Sequence, residues 1–270
     1  MGFYFARPST VLSPYVKQYW GIENCMNPGE EHIQRIIPNG LMELTFYLGA
    51  CPQLLNHHQE SIEKTVISGH CKGYHDLMVT GNLQMFSVSF KPQGAWMFFD
   101  LPMSELYNCI VPVRDLLKEE IAKLEEELHE AIDFQDKVIL IEAFLIALLK
   151  KKTNFYHEKR MVDSIGLINQ KHGIAEIDAL ASQACLSRKQ YERTFQECVG
   201  TSPKQFMRVV RFQHSLHFRR MNSHLRLTDL AYECGFFDQS HMINEYKDLS
   251  GKTPSQYFAE CEPYSDYFAE

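Results

Sequence analysis

Along the last third of the chain, apolar positions recur with a helical period, and the pattern occurs twice about 51 residues apart. Leu180-Ala181 answers to Leu230-Ala231, and Cys185 to Gly235. Tyr191, Phe195, Gly200, Pro203 and Phe206 are then matched in order by Met242, Tyr246, Gly251, Pro254 and Tyr257. A unit repeated at fixed spacing is one supersecondary structure used twice. In the first copy Ile177, Leu180, Ala181 and Ala184 predict a helix and the small Cys185 a turn. Ser187, with Gln190 three residues on, caps a second helix whose inward stripe is Tyr191, Phe195 and Val199. In the second copy Gly235 permits the turn, and Asp238 caps a helix with Met242, Tyr246 and Leu249 inward. Each copy is a predicted helix-turn-helix. Between them, Ser202 to Met221 predicts one helix of about 30 Å at a rise of about 1.5 Å per residue, close to the repeat of one duplex turn.

The pattern changes before residue 110. Ile33 to Pro38, Met42 to Leu48, Thr65 to Gly69 and Met85 to Phe90 are short β-branched or aromatic runs broken by Pro, Gly and Asn, the signature of an antiparallel β domain, here expected as a partial barrel. Two helices follow. Asp115 to Ala131 is highly charged, and Phe134 to Lys151 is apolar around most of its circumference, so it needs cover from the β domain or from a second chain. Lys150-Lys151-Lys152-Thr153-Asn154 reads as a linker. The predicted class is therefore α+β, with a sensor or oligomerisation domain over 1–152 (β-rich 1–110, helices 115–151) and an all-α domain of two helix-turn-helix units joined by a long helix over 153–270.

Charge sharpens the division. The chain carries a net −7, but residues 185 to 226 hold nine basic and two acidic side chains, a stripe of +7 suited to phosphates. Residues 1–158 hold 13 basic against 20 acidic side chains, and residues 159–270 hold 14 against 14, so the acidity belongs to the N-terminal half. Joined by a short linker, the acidic and basic halves are expected to associate electrostatically. The longest apolar run, Val138 to Leu149, is interrupted by Glu142 and is too short for a membrane span, and no signal peptide is evident. Eight cysteines (Cys25, Cys51, Cys71, Cys109, Cys185, Cys198, Cys234, Cys261) show no metal-site spacing and read as reduced thiols in a cytoplasmic protein.

The phrases LSRKQYERTFQECVGTSPKQF and GFFDQSHMINEYKDLSGKTPSQYF, within Arg160 to Phe258, resemble the DNA-binding domain of AraC-type transcriptional activators. The resemblance implies that the second helix of each unit enters the major groove. By position it assigns base contacts to Lys189, Glu192 and Arg193, then to Gln239, Ser240 and Asn244, with Arg188, Arg208, Arg211 and Lys247 on phosphates. It also implies double-stranded DNA and RNA polymerase as partners, a homodimer, and no cofactor. Cys185 stands where glycine is common, Arg226 where Ser or Thr would cap, and Asn244 and Tyr246 where Arg and Phe are frequent. The phrases SPYVKQYW, RIIPNGLMELTFYLG and VSFKPQGAWMFFDLPMSELYNCIVPVRDLL resemble a poorly characterised sensor-type domain that precedes this module in bacterial regulators, and supply no ligand.

Within the β domain, Trp20, Arg35, Glu43, Tyr47, His70 and Trp96 are candidates for a pocket holding a small-molecule effector, against the plainer reading as ion pair and core. His32, His57, His58, His70 and His75 invite a metal. Yet His57 and His58 would point to opposite faces of an extended strand within a polar loop, so none is assigned. With no Gly-rich phosphate loop, nucleophile elbow or metal-spaced cluster, the chain is read as a regulator rather than an enzyme targeted to DNA. A regulator whose β domain contacts only protein is the third reading.

Overall fold

The computed structural model describes residues 2–24, 30–55, 60–153, 155–261 and 267–268; Cys25, His57, His58 and Asn154 lie outside them. Its β domain comprises β1 (Gly2–Ala6), β2 (Val16–Asn24), β3 (Glu31–Ile36), β4 (Met42–Tyr47), β5 (Gln53–Leu54), β6 (Glu60–Ser61), β7 (Thr65–Ser68), β8 (His75–Thr80), β9 (Leu83–Phe90) and β10 (Ile110–Pro112). They form a six-stranded antiparallel sheet, β1-β2-β9-β4-β7-β10, and a four-stranded one, β3-β8-β5-β6, with no closed barrel among the described residues.

Strand alternation decides what each face does. Along β4, Met42, Leu44 and Phe46 enter the core with Phe86, Val88 and Phe90 of β9, while Glu43, Thr45 and Tyr47 take the opposite face. The core face is covered by α1 (Arg114–Glu130) and α2 (Phe134–Lys151) through Ile121, Leu124, Leu128, Val138, Ile141, Leu145 and Leu148. One side of α2 thus receives its cover from the sheet; Ile139 (59% exposed), Ala143 and Ala147 remain outward. No helix among the described residues is long and apolar enough to cross a membrane.

The remaining helices are α3 (Glu158–Gln170), α4 (Ile177–Gln183), α5 (Arg188–Val199), α6 (Pro203–Met221), α7 (Leu227–Glu233), α8 (Gln239–Ser250) and α9 (Pro254–Glu260). They build two cores. Met161, Ile165, Leu180, Tyr191 and Phe195 close around Phe206 and Val210 of α6, and Leu230, Met242, Tyr246 and Leu249 close around Val209, Phe212 and Leu216 of the same helix. By feeding both cores, α6 acts as a rod of 19 residues, about 28 Å long.

The two halves meet at the C-terminal ends of α5 and α8. Gly200, the left-handed cap of α5 (φ +92°), leaves no room for a Cβ beside the Met42 side chain and the Met103 carbonyl. Gly251, the matching cap of α8 (φ +74°), lies equally close to Tyr74, whose ring a Cβ would meet at 2.7 Å. Arg35 is held by Asp76 through two hydrogen bonds of 2.7 and 2.8 Å, lies 4.2 Å from the Tyr74 ring centroid, and donates to the Ser250 carbonyl at 3.3 Å. His70 is buried with its ring 6.0 Å from Phe206, and the Gln213 amide donates to the Pro38 carbonyl at 2.8 Å. Tyr267 adds a further tie, donating from its hydroxyl to Asn169 (2.7 Å) while its carbonyl accepts from Lys17 Nζ (2.7 Å).

Candidate nucleic-acid interface

Each helix-turn-helix unit is built by the same local chemistry. Cys185 and Gly235 occupy the left-handed region at the turns, φ +53° and +74°. The Ser187 hydroxyl accepts from the Gln190 amide and the Gln190 side chain accepts from the Ser187 amide, a complete capping box at the start of α5. Asp238 accepts from the His241 amide at 2.7 Å to start α8. Arg226 caps α7 without a side-chain bond. The inward stripes are buried as the periodicity requires: Tyr191, Phe195 and Val199 in one unit, Met242, Tyr246 and Leu249 in the other. Two buried hydroxyls are satisfied across the helices, Tyr191 with Ser164 at 2.6 Å and Tyr246 with Ser215 at 2.8 Å.

On α5, Lys189, Arg193 and Gln196 are exposed and Glu192 is half-buried. Arg188 lies 3.3 Å from both Asp178 and Glu192, and Arg193 lies 3.8 Å from Glu197. These are solvent-facing pairs, weak enough to exchange for phosphate or base partners. On α8, Ser240, Asn244 and Lys247 are exposed, Gln239 and Ile243 are half-buried, and the Gln239 side-chain oxygen accepts from Thr228 at 2.7 Å.

Two of the residues assigned to phosphates are placed differently. Arg208, 22% exposed, is turned into the protein, where Glu245 and Asp248 of α8 hold its guanidinium and keep it firmly charged. It straps the rod to the second reader helix. Arg211 is half-buried with its guanidinium 5.3 Å from the Phe236 ring, and burial lowers its pKa.

The candidate pocket residues do not converge. Trp20, Glu43 and Tyr47 share the outer face of the six-stranded sheet, where Trp20 Nε1 donates to the Ser89 hydroxyl (3.1 Å), which donates to Glu43 (3.0 Å). Burial, with Glu43 nearby, raises the Tyr47 pKa and pushes the Cys71 thiol up to about 11. Arg35, instead of meeting Glu43, clasps Asp76 and the end of α8. His70 is at the junction, bonded to the Val199 backbone, and burial lowers its pKa to about 4. Trp96 packs against both the β-domain core and the first helix-turn-helix core, with Lys152 Nζ 4.8 Å from its ring centroid.

The contacts between the halves are hydrogen bonds and packed side chains at helix ends, in place of the electrostatic cover that the charge division suggested. They leave the exposed residues in the N-terminal halves of α5 and α8 accessible. The residues that the sequence did not single out are Asp76, Tyr74, Tyr267 and Phe237. The first three act through tertiary contacts with no local pattern, whereas Phe237 had a signal in the spacing of the repeat.

Two capped helix-turn-helix units sharing one central helix define a bipartite DNA-binding domain. Residues 180–260 match a helix-turn-helix domain family, and residues 4–112 match a domain of unknown function, DUF6597. An uncharacterised helix-turn-helix transcriptional regulator of Haemophilus influenzae is 27% identical over 189 residues, 66% of this chain and 63% of that protein. The transcriptional activator RhaS of Escherichia coli O139:H28 is 34% identical over 70 residues, 26% of this chain and 25% of the activator. The aligned region spans less than two thirds of either relative. The C-terminal region therefore carries a helix-turn-helix domain, and the chain is similar to helix-turn-helix transcriptional regulators. Among solved structures, ToxT of Vibrio cholerae O395 bound to (E)-4-(8-methylnaphthalen-1-yl)but-3-enoic acid is similar at a TM-score of 0.47, with 13% identity over 89% of this chain and 98% of that one. The DNA-binding domain of AdpA in complex with a target DNA is similar at a TM-score of 0.34, with 20% identity over 37% and 90% of the two chains.

Proposed function

We propose that the protein regulates transcription in the cytoplasm by setting α5 and α8 into successive major grooves of one operator. The observation that carries this reading is α6: a rod of about 28 Å packed into both cores joins two capped helices, and its length is comparable with the roughly 34 Å repeat of the duplex. Lys189, Glu192 and Arg193 read bases from the first unit, and Gln239, Ser240 and Asn244 from the second. Arg188 and Lys247, at the exposed margins, hold phosphates, while Arg208 and Arg211 fix the rod against the second unit. RNA polymerase is the partner through which binding is read.

A small-molecule effector belongs beside Trp20 and Glu43, two half-buried side chains linked through the buried Ser89 hydroxyl. The groove between α1 and α2 fits a second copy of the chain. It is lined by Phe144, Ala147 and Leu148 with Glu119, Glu120, Lys123 and Lys151, and its exposed charges, Lys151 paired with Glu120 at 2.6 Å, could be shared between two copies only by exchanging such surface pairs. Sedimentation showing a monomer at micromolar concentration refutes the dimer.

The test of the reading is a duplex selected from random sequence by the full-length protein. Affinity for it should fall steeply between 50 and 200 mM salt, by about 10³-fold or more if six or more phosphates are contacted. Absence of binding at 50 mM salt, or a flat salt dependence, refutes it.

A further inference from the structure

The two units are not identical in one respect. Up to the turn they are offset by 50 residues: Leu186 donates its amide to the Ala181 carbonyl at 3.0 Å, and Phe236 to Ala231 at 2.9 Å. From the cap onward the offset is 51: Tyr191 donates to Ser187 at 2.8 Å, and Met242 to Asp238 at 3.1 Å. The second turn therefore contains one additional residue, Phe237. Its side chain is 84% exposed, whereas Phe236 beside it is 3% exposed and belongs to the core. Phe237 is also held, because its amide donates to His241 Nδ1 at 3.1 Å and the His241 amide donates to Asp238.

A single exposed apolar side chain is ordinary on a protein surface. Position and company distinguish this one. Phe237 directly precedes the cap of α8, so it stands at the end of the helix that faces a groove. The outward side chains of α8 include Gln239, Ser240, Ile243, Asn244 and Lys247, with Asp248 exposed toward its C-terminal end, and no arginine. Amide side chains pair bidentately with adenine, and apolar groups meet the thymine methyl; guanine is read best by arginine. α5 presents Lys189 and Arg193 and so suits guanine, whereas α8 with Phe237 has the chemistry of A·T pairs.

We propose that Phe237 reads the 5-methyl group of a thymine in the half-site under α8, making the second half-site A·T-directed and the first G·C-directed. This assignment rests on α8 entering the major groove. It makes Phe237 a specificity residue, and Phe237→Ser should fold normally because its ring touches solvent.

The test uses the full-length chain and its selected operator, with each thymine of the second half-site replaced singly by deoxyuridine, which removes one methyl. At one position the wild type should lose about fourfold in affinity, the loss corresponding to one buried methyl. Phe237→Ser should bind the unmodified operator about that much more weakly and be insensitive to the same replacement, while keeping wild-type sensitivity to changes under α5. If the wild type is insensitive at every thymine, or the variant shows the same uridine profile as the wild type, the assignment is wrong while the groove reading stands. If the variant keeps its affinity and loses only transcriptional output, Phe237 is a protein contact and the assignment is likewise overturned. If the protein binds no duplex, the groove reading itself fails and takes the assignment with it.

Discussion

His70 makes the junction between the halves sensitive to pH. Its ring is buried, its Nε2 has no hydrogen-bond partner, and burial lowers its pKa from an ordinary 6.5 to about 4. A histidine whose pKa is depressed by folding imposes no penalty above its unfolded pKa. As pH falls below 6.5 the exposed form takes up a proton that the buried form refuses, so stability is lost progressively down to about pH 4. The full penalty is about 3.4 kcal/mol, and between pH 7.5 and 5.5 it amounts to about 1.3 kcal/mol. His214, also buried and lowered to about 4, adds a similar slope, so the measurement must be a difference. Urea unfolding of the full chain at the two pH values, compared between wild type and His70→Leu, isolates the His70 contribution. The variant should lose about 1.3 kcal/mol less on acidification. The same loss in both proteins, within about 0.3 kcal/mol, would show that His70 is not the buried neutral group the geometry implies.

The other arginine and cysteine positions give sharper contrasts. Arg193→Ala should leave stability unchanged, cost about 1 to 3 kcal/mol in operator binding and relax preference at one base. Arg208→Ala removes the arginine partner of Glu245, whose side chain is 11% exposed, and leaves it only His241 at 3.3 Å, so stability should fall by about 1 to 3 kcal/mol. Thermal unfolding that ranks the two variants the other way contradicts the placement of Arg208. Cys185→Gly removes a side chain from a left-handed position at φ +53°; set against the greater entropy of unfolded glycine, the net gain should be about 0.5 to 1 kcal/mol, and a fall in the urea midpoint refutes it.

What was legible in the sequence was what short-range chemistry determines. Ser187 with Gln190, Asp238, and the glycines at 200 and 251 define caps and turns within a few residues of themselves, so the predicted helices coincide with α5 and α8. The Thr253–Gln256 capping box before α9 obeys the same rule. The apolar run at Phe134 to Lys151 is the whole of α2, although periodicity could not say which of its faces the sheet takes. Of the β domain the runs at 33, 42, 65 and 85 were visible, whereas β1, β2 and β8 alternate too weakly to be recognised without their partners. The pocket residues dispersed because nothing local tells Arg35 to choose Asp76, 41 residues away, over Glu43. The added residue at the second turn was visible in the numbers, since the repeat slips from 50 to 51 between Cys185/Gly235 and Tyr191/Met242.

The grip of the β domain on the ends of α5 and α8 also decides where its charge lies. A helix carries about half a positive charge at its N-terminus and half a negative charge at its C-terminus. Both reader helices keep the positive end outward and give the negative end to the β domain, where Arg35 meets that of α8. Each helix has 12 residues, about 18 Å, and the Debye length at physiological salt is about 8 Å. Residues 1–158 hold 20 acidic against 13 basic side chains, and the β domain meets the two helices at the ends opposite Ser187 and Asp238, a helix length of about two screening lengths away. The exposed Lys189 and Arg193 lie in the half of α5 away from that contact, so the basic side chains and the acidic half sit toward opposite ends of the same helix.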